Sequence, residues 1–537
     1  MPMGAFKRPR PYRAPLSPPT RSGFVGLHGS HHNRLDTGII FIALRDGVSE
    51  ATLDSGLSSL DNSGLHARIA RNVVWSAIGE ISVRTLSFAT LLYLARALGP
   101  TQFGSFALAQ AAVIYVWVLG EFFGSASHAA REISAERSRA PALILEFLST
   151  RLVAGVVLAS AWAIVVLLFQ GRSEHTAAML SGSAYLLFFP LYADWLLRGL
   201  EDFRLVTFVG LFVSGSFLVA ILILTRLGEP VWMLVIAWAM SFLFGGILIL
   251  ILKRKILFGA FRWGIPLAGW RHARGSATFA LAGVATLGIT QIPQLALGLS
   301  VAGSQEVGYL ASSLRLVALV ITAGQVLCWG MYPILSSLQR DGRQLAAVEH
   351  ILQRISVGLG VGVATIGFWA APSLVSVLFG KAYAPSVPVL RLLILALPIW
   401  LGLQALEWML LARHLEARRL LSFAAAIVFL VLGLLWAIPR GTAVAVASAV
   451  VLSLAVAAAG LLVSYVQEAS WRSLDPRLLR TAIAGTLTSA ALIWFQPTLL
   501  IALGGGVLYA AALYLTGAFD REDVQTVGRL LLNRLPT

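Results

Sequence analysis

Fourteen long apolar stretches fill residues 72–518, near 72–96, 103–124, 144–169, 176–197, 205–225, 231–252, 275–300, 307–335, 355–380, 386–411, 420–439, 441–466, 478–495 and 498–518. About 20 apolar residues cross a bilayer core as a helix, because a helix satisfies its own backbone polar groups in lipid. Arg and Lys collect in every second gap: Arg131, Arg137 and Arg139, then Arg198 and Arg204, Lys253 and Arg254, Arg340 and Arg343, Arg413 and Arg418, Arg472 and Arg477. The intervening gaps hold only Arg96, Arg172, Arg226, Lys381 and Arg440. Cytoplasmic loops retain cations, so the alternation describes a chain that crosses a membrane with each stretch. The basic N-terminal region and the tail with Arg521, Arg529 and Arg534 fall on the cation-rich side. Both termini are therefore expected in the cytoplasm, with an even number of spans. Fourteen fits best; twelve follows if 478–495 and 498–518 pair as a re-entrant hairpin. The expected fold class is an all-α polytopic membrane protein.

Composition excludes the main alternative. A chain 58% hydrophobic and 12% charged is not a soluble globule. Its net charge of +16 is carried largely by the loops and suits anionic lipid better than nucleic acid. The single cysteine, Cys328, rules out an intramolecular disulfide or a cysteine metal cluster. Residues 1–66 are basic, rich in proline and without period, and their best apolar run, 38–44, is too short to span. They are expected to be a disordered cytoplasmic extension, or residues ahead of the true start.

The chain repeats after six spans. Gly99 and Gly104, followed by Ala107, match Gly303 and Gly308, followed by Ala311, at the openings of spans two and eight. Arg198, Glu201, Arg204 and Phe208 match Arg413, Glu416, Arg419 and Phe423 at a similar spacing. Six being even, the halves share one orientation, a parallel repeat about an axis along the membrane normal. The expected domains are the extension 1–66, an N-terminal six-helix lobe at 67–255, a basic cytoplasmic linker at 256–274, a C-terminal six-helix lobe at 275–470, and two extra helices with a tail at 471–537. A cavity is expected between the lobes.

Ionisable residues inside spans are expensive and mark partners or a cavity. Glu80 and Arg84 lie four residues apart and can pair on one helix face. Arg315 has no acid three or four residues away, so it needs an anion from another helix or from a ligand. Arg151 and Arg391 lie nearer the span ends, where snorkelling is favoured over function. Asp194 and Glu407 fall where loop arginines can reach them. Gln291, Pro293 and Gln294 mark a broken or kinked span with polar company, favouring a place beside the cavity. Walker A, paired-histidine, Cys-x-x-Cys and nucleophile-elbow patterns are absent, so no catalytic residue, metal or cofactor is expected.

Three signatures, in order, resemble a known family. Leu98, Gly99, Pro100, Phe103 and Gly104 resemble the N-terminal signature of the Wzx-like oligosaccharide flippases, bacterial polysaccharide-biosynthesis membrane proteins. Glu306, Val307, Gly308, Tyr309, Ala311 and Arg315 resemble their central signature, and Leu378, Phe379, Gly380, Tyr383, Leu390 and Arg391 the next. The resemblance covers roughly 70–470 and implies the multidrug/oligosaccharidyl-lipid/polysaccharide exporter superfamily, with two six-helix lobes around a central cavity that is often cationic. It implies a flippase that moves an undecaprenyl-pyrophosphate-linked oligosaccharide across the bacterial inner membrane by alternating access, for surface lipopolysaccharide or exopolysaccharide. The implied partners are that lipid, membrane lipids, glycosyltransferases and a polysaccharide polymerase. Arg84 and Arg315 would meet the pyrophosphate. Where relatives often carry an acid in span seven this chain has Gln294, which leaves Glu80 the better candidate for ion coupling. The alternatives are a drug or small-molecule exporter of the same superfamily, or an enzyme or scaffold of envelope glycan assembly.

Overall fold

Glycine and proline set where the apolar runs bend. The computed structural model describes residues 50–169, 174–258, 273–300, 303–339, 342–469, 474–494 and 499–519, and all regular structure among them is helical. The chain divides into two compact units, Met1–Leu65 and His66–Thr537. Of the N-terminal extension, 1–49 lies outside the described residues and 50–66 is helical. Of the basic linker, 259–272 lies outside them too.

The first two apolar stretches fall in one helix, α1 (Glu50–Gly124), interrupted at Gly99 with φ 70° and ψ 174°, a backbone state open only to glycine. The two arms of α1 pack in opposite senses on different neighbours. Residues 79–98 run parallel to α7 (Phe203–Leu227): Gly79 lies on Thr207, Ser87 Oγ is 3.0 Å from Ser214 Oγ, and Tyr93 Oη is 3.1 Å from Thr225 Oγ1. Residues 103–124 run antiparallel to α10 (Ala273–Gly298), with Leu108 against Gly298 and Val118 near Gly283. At the far end of that contact the Ser125 N–H donates to Ser276 Oγ at 3.1 Å.

The remaining helices are α2 (Ala126–Ala135), α3 (Ala140–Phe169), α4 (Glu174–Ser181), α5 (Ser183–Phe188), α6 (Asp194–Gly199), α8 (Val231–Leu252) and α9 (Arg254–Phe258) before α10. After it come α11 (Gly303–Ser337), α12 (Gly342–Leu378), α13 (Ser386–Leu395), α14 (Leu397–Ala412), α15 (Glu416–Ala437), α16 (Ala443–Ala469), α17 (Leu478–Ile493) and α18 (Leu499–Leu515). Their outward faces are apolar, as lipid requires: Leu168, Leu227, Leu421 and Leu435 are exposed.

The expected fourteen spans are not all met. Among the described residues nine helices are long and apolar enough to cross a membrane, or ten if α13 and α14, bent by 42°, form one span. Gly79–Ala135 counts once although Gly99 divides it. Helices α17 and α18, of 16 and 17 residues, are shorter than the roughly 20 that a bilayer core asks for. Both pack on α12: the Trp369 indole donates to Ser489 Oγ at 3.0 Å, and the Tyr509 hydroxyl to the Gly358 carbonyl at 2.9 Å.

Of the break or kink expected at Pro293, the break is absent: α10 runs through it as one helix. Proline takes an N–H from the preceding turn; beside that gap Gln294 Nε2 donates to the Thr290 carbonyl at 2.9 Å. The loops that carry the charge-matched motifs also differ in shape. The left-handed residue is Glu201 in the first and His414 in the second, so the turns fall at unmatched positions.

Candidate polar junction between the halves

The glycine repeat is where the two halves of the chain meet. Gly303 opens α11 with φ 77°, as Gly99 opens the second arm of α1 with φ 70°. A Cβ on Gly104 would fall on the Ser304 carbonyl, and a Cβ on Gly308 on the Pro100 carbonyl. The two contacts are reciprocal: each glycine sits against the residue that follows the other half's opening glycine. Any side chain at either position would push the helices apart.

That close approach brings polar groups together deeper along the same helices. At 1.5 Å per residue Arg315 lies about 18 Å from the start of α11, well inside a bilayer core. Its Nη2 donates to Gln110 Oε1 of α1 at 2.8 Å, and its guanidinium lies 5.1 Å from the centre of the Phe103 ring. Among the described residues no carboxylate pairs with it. Thus the anion that the sequence demanded of another helix is replaced by a neutral amide.

Aromatic and arginine contacts close the same end. Phe103 meets Tyr383 edge-on at 6.3 Å, Tyr309 meets Tyr383 likewise, and the Tyr383 hydroxyl donates to the Ala95 carbonyl at 3.0 Å. Arg96 donates to the Leu378 carbonyl at 2.7 Å and to that of Val377, the last residues of α12. Carbonyls at a helix C-terminus are unsatisfied and carry partial negative charge, which suits a guanidinium.

The other candidate residues lie elsewhere. Arg84 Nε donates to Glu80 Oε1 at 2.5 Å, with side chains 47% and 23% exposed, so the expected pair forms. Gln294 is buried and donates to Gln291 Oε1 at 3.4 Å, so the two amides serve each other. Arg391 donates to the Phe368 carbonyl at 3.1 Å and lies 4.8 Å from that ring, tying α13 to α12. Asp194 and Glu407 do meet loop arginines, Arg198 at 3.0 Å and Arg419.

Arg151 corrects the snorkelling expectation. It is 1% exposed, and its Nη1 donates to Glu121 Oε1 at 2.9 Å and to the Gly124 carbonyl at 2.6 Å. Glu121 also accepts from the Trp117 indole at 3.0 Å and from the Ala126 N–H at 2.8 Å, which caps the start of α2. A buried, paired arginine that shapes a helix break has no need to reach the interface. The sequence marks Arg151 inside a span, and Phe103 and Tyr383 only within the family signatures; Gln110 is not marked at all. The signal for Gln110 was a single amide in an apolar run, which sequence distance hid from Arg315.

Comparison with known proteins supports this architecture. A family model described as "Polysaccharide biosynthesis protein" matches residues 69–339. Among solved structures, "Lipid II flippase MurJ, inward closed conformation" superposes with a TM-score of 0.66 at 11% identity, covering 83% of this chain and 98% of that one. An "Inward-facing conformation of a multidrug resistance MATE family transporter of the MOP superfamily" gives 0.56 at 15% identity over 73% and 98%. A MOP superfamily transporter from Pyrococcus furiosus gives 0.53 at 17% identity over 74% and 95%. No curated protein matches. At such identities the structures establish a shared fold.

Proposed function

The chain belongs to the polysaccharide biosynthesis protein family, and from that premise we propose that it is a flippase for an undecaprenyl-pyrophosphate-linked oligosaccharide in the bacterial inner membrane. Residues 67–255 and 275–470 act as its two lobes, and alternating access carries the head group between leaflets. The Gly99–Gly303 end faces outward, since the gaps there hold few cations. A lipid II flippase is among the structural neighbours that share the fold, which supports a lipid-linked substrate.

One observation carries the proposal. Arg315 lies half-buried about three turns along α11, at the junction of the two halves, with an amide and a ring for company and no carboxylate among the described residues. A guanidinium so placed costs several kcal/mol of lost hydration, by order of magnitude, and is retained where an anion will meet it. A pyrophosphate offers paired oxygens that match its planar fork. Arg84, at similar depth in α1, is the second candidate contact, held by Glu80 until the lipid arrives. Glycosyltransferases that build the oligosaccharide and a polymerase that consumes it complete the proposed setting.

The test is cellular. Removing the protein should make lipid-linked oligosaccharide accumulate in the inner leaflet. Arg315→Ala should do the same at normal abundance, and Arg315→Lys should recover only part of the export, because an ammonium lacks the fork. Full export by Arg315→Ala would end the proposal for that residue.

A further inference from the structure

We propose that Gln110 is a stand-in for the substrate's anion: it holds Arg315 while the site is empty and is displaced when a lipid pyrophosphate binds. The inference rests on the proposed role of Arg315 and deepens it. Gln110 belongs to α1 and Arg315 to α11, so their 2.8 Å hydrogen bond ties one half of the chain to the other. A ligand that takes the guanidinium breaks that tie. Substrate binding and lobe separation are then linked through one side chain, and the linkage is reciprocal.

The chemistry of the partner is what makes displacement work. A carboxylate in place of the amide would form a full ion pair in low dielectric and compete with the substrate on equal terms. An apolar side chain would leave a partly buried guanidinium unsatisfied on that side. An amide oxygen lies between these limits. It satisfies one N–H of Arg315 yet bears no charge, so a phosphate oxygen, whose negative charge adds an ion pair to the hydrogen bond, replaces it readily.

The surroundings favour the same role. Phe103, the ring against Arg315, also belongs to α1, so the hydrogen bond and the ring contact both come from the opposite half. The reciprocal packing of Gly104 and Gly308 lies just above them and sets the helix separation at which an amide reaches across. Bulk at either glycine would open the Gln110–Arg315 distance as well.

The experiment uses the full chain in nanodiscs, undecaprenyl pyrophosphate as the probe, and spin labels at the exposed positions Thr101 and Gln305. In the unsubstituted protein, adding probe should lengthen the distance between the labels. Gln110→Ala should bind the probe about tenfold more tightly, the worth of one hydrogen bond to a charged group, and should show the longer distance before probe is added. Gln110→Glu should bind about tenfold more weakly or worse and keep the short distance, since a carboxylate pairs with Arg315 outright. Unchanged or weaker binding by Gln110→Ala, with binding lost in Arg315→Ala, would overturn the role of Gln110 and leave that of Arg315 standing. Undiminished binding by Gln110→Glu would overturn it too, and decides the matter should the alanine variant fail to fold. Unchanged binding by Arg315→Ala would instead remove the proposed anion contact itself.

Discussion

Two intramembrane arginines show how one residue type serves two ends. Arg315 has a neutral partner across the junction, while Arg151 has a carboxylate, a carbonyl and the Trp117 ring at 5.0 Å within its own half. Burial beside a carboxylate stabilises local structure; burial without a counter-charge leaves capacity for a ligand. Arg151→Ala should therefore act through stability. Glu121 loses its counter-charge but keeps the Trp117 and Ala126 donors, a cost of about 1–3 kcal/mol, and thermal unfolding in detergent should show a fall in midpoint with loss of protein from the membrane. A normally folded, abundant Arg151→Ala that fails only in export would instead place Arg151 at the substrate. The sequence separates the two arginines only by depth, because their partners, Glu121 and Gln110, each lie on a helix other than the arginine's own.

Among the elements, the openings of α11 and of the second arm of α1 carry the most weight. Their Gly-x4-Gly pattern was legible in the chain because the constraint is local: the first glycine supplies a positive φ and the second a bare helix face. That each bare face seats the other half's carbonyl was not legible, since it is set by packing. Gly308→Leu should force the two openings apart, because overpacking a close helix contact costs about 1–3 kcal/mol. The distance between spin labels at Thr101 and Gln305 should lengthen; an unchanged distance would show that the contact tolerates a side chain and does not hold the halves together. The charge-matched loops illustrate the converse. Arg198 pairs with Asp194 one turn away, whereas Arg413 forks onto buried Glu349 of α12 at 2.9 and 2.8 Å, so similar letters serve different partners. Pro293 removes one backbone bond, which the remaining turns of α10 outlast as a continuous helix.

At the scale of the molecule, hydropathy made the membrane class legible, because the solvent imposes it on every helix. The number of crossings was less so: apolar length alone does not tell the short helices α17 and α18, packed along α12, from full spans. Family and fold agree on a membrane protein with the architecture of MOP superfamily transporters. In the proposed function this architecture moves a lipid pyrophosphate-linked sugar by way of Arg315. The direct measurement uses purified protein in liposomes loaded with the glycolipid pool extracted from cells that lack it, and follows transfer of the head group between leaflets. Transfer well above that of empty liposomes, falling to the empty level with Arg315→Ala, is the expected result. No transfer by the unsubstituted protein, or equal transfer by Arg315→Ala, would contradict it.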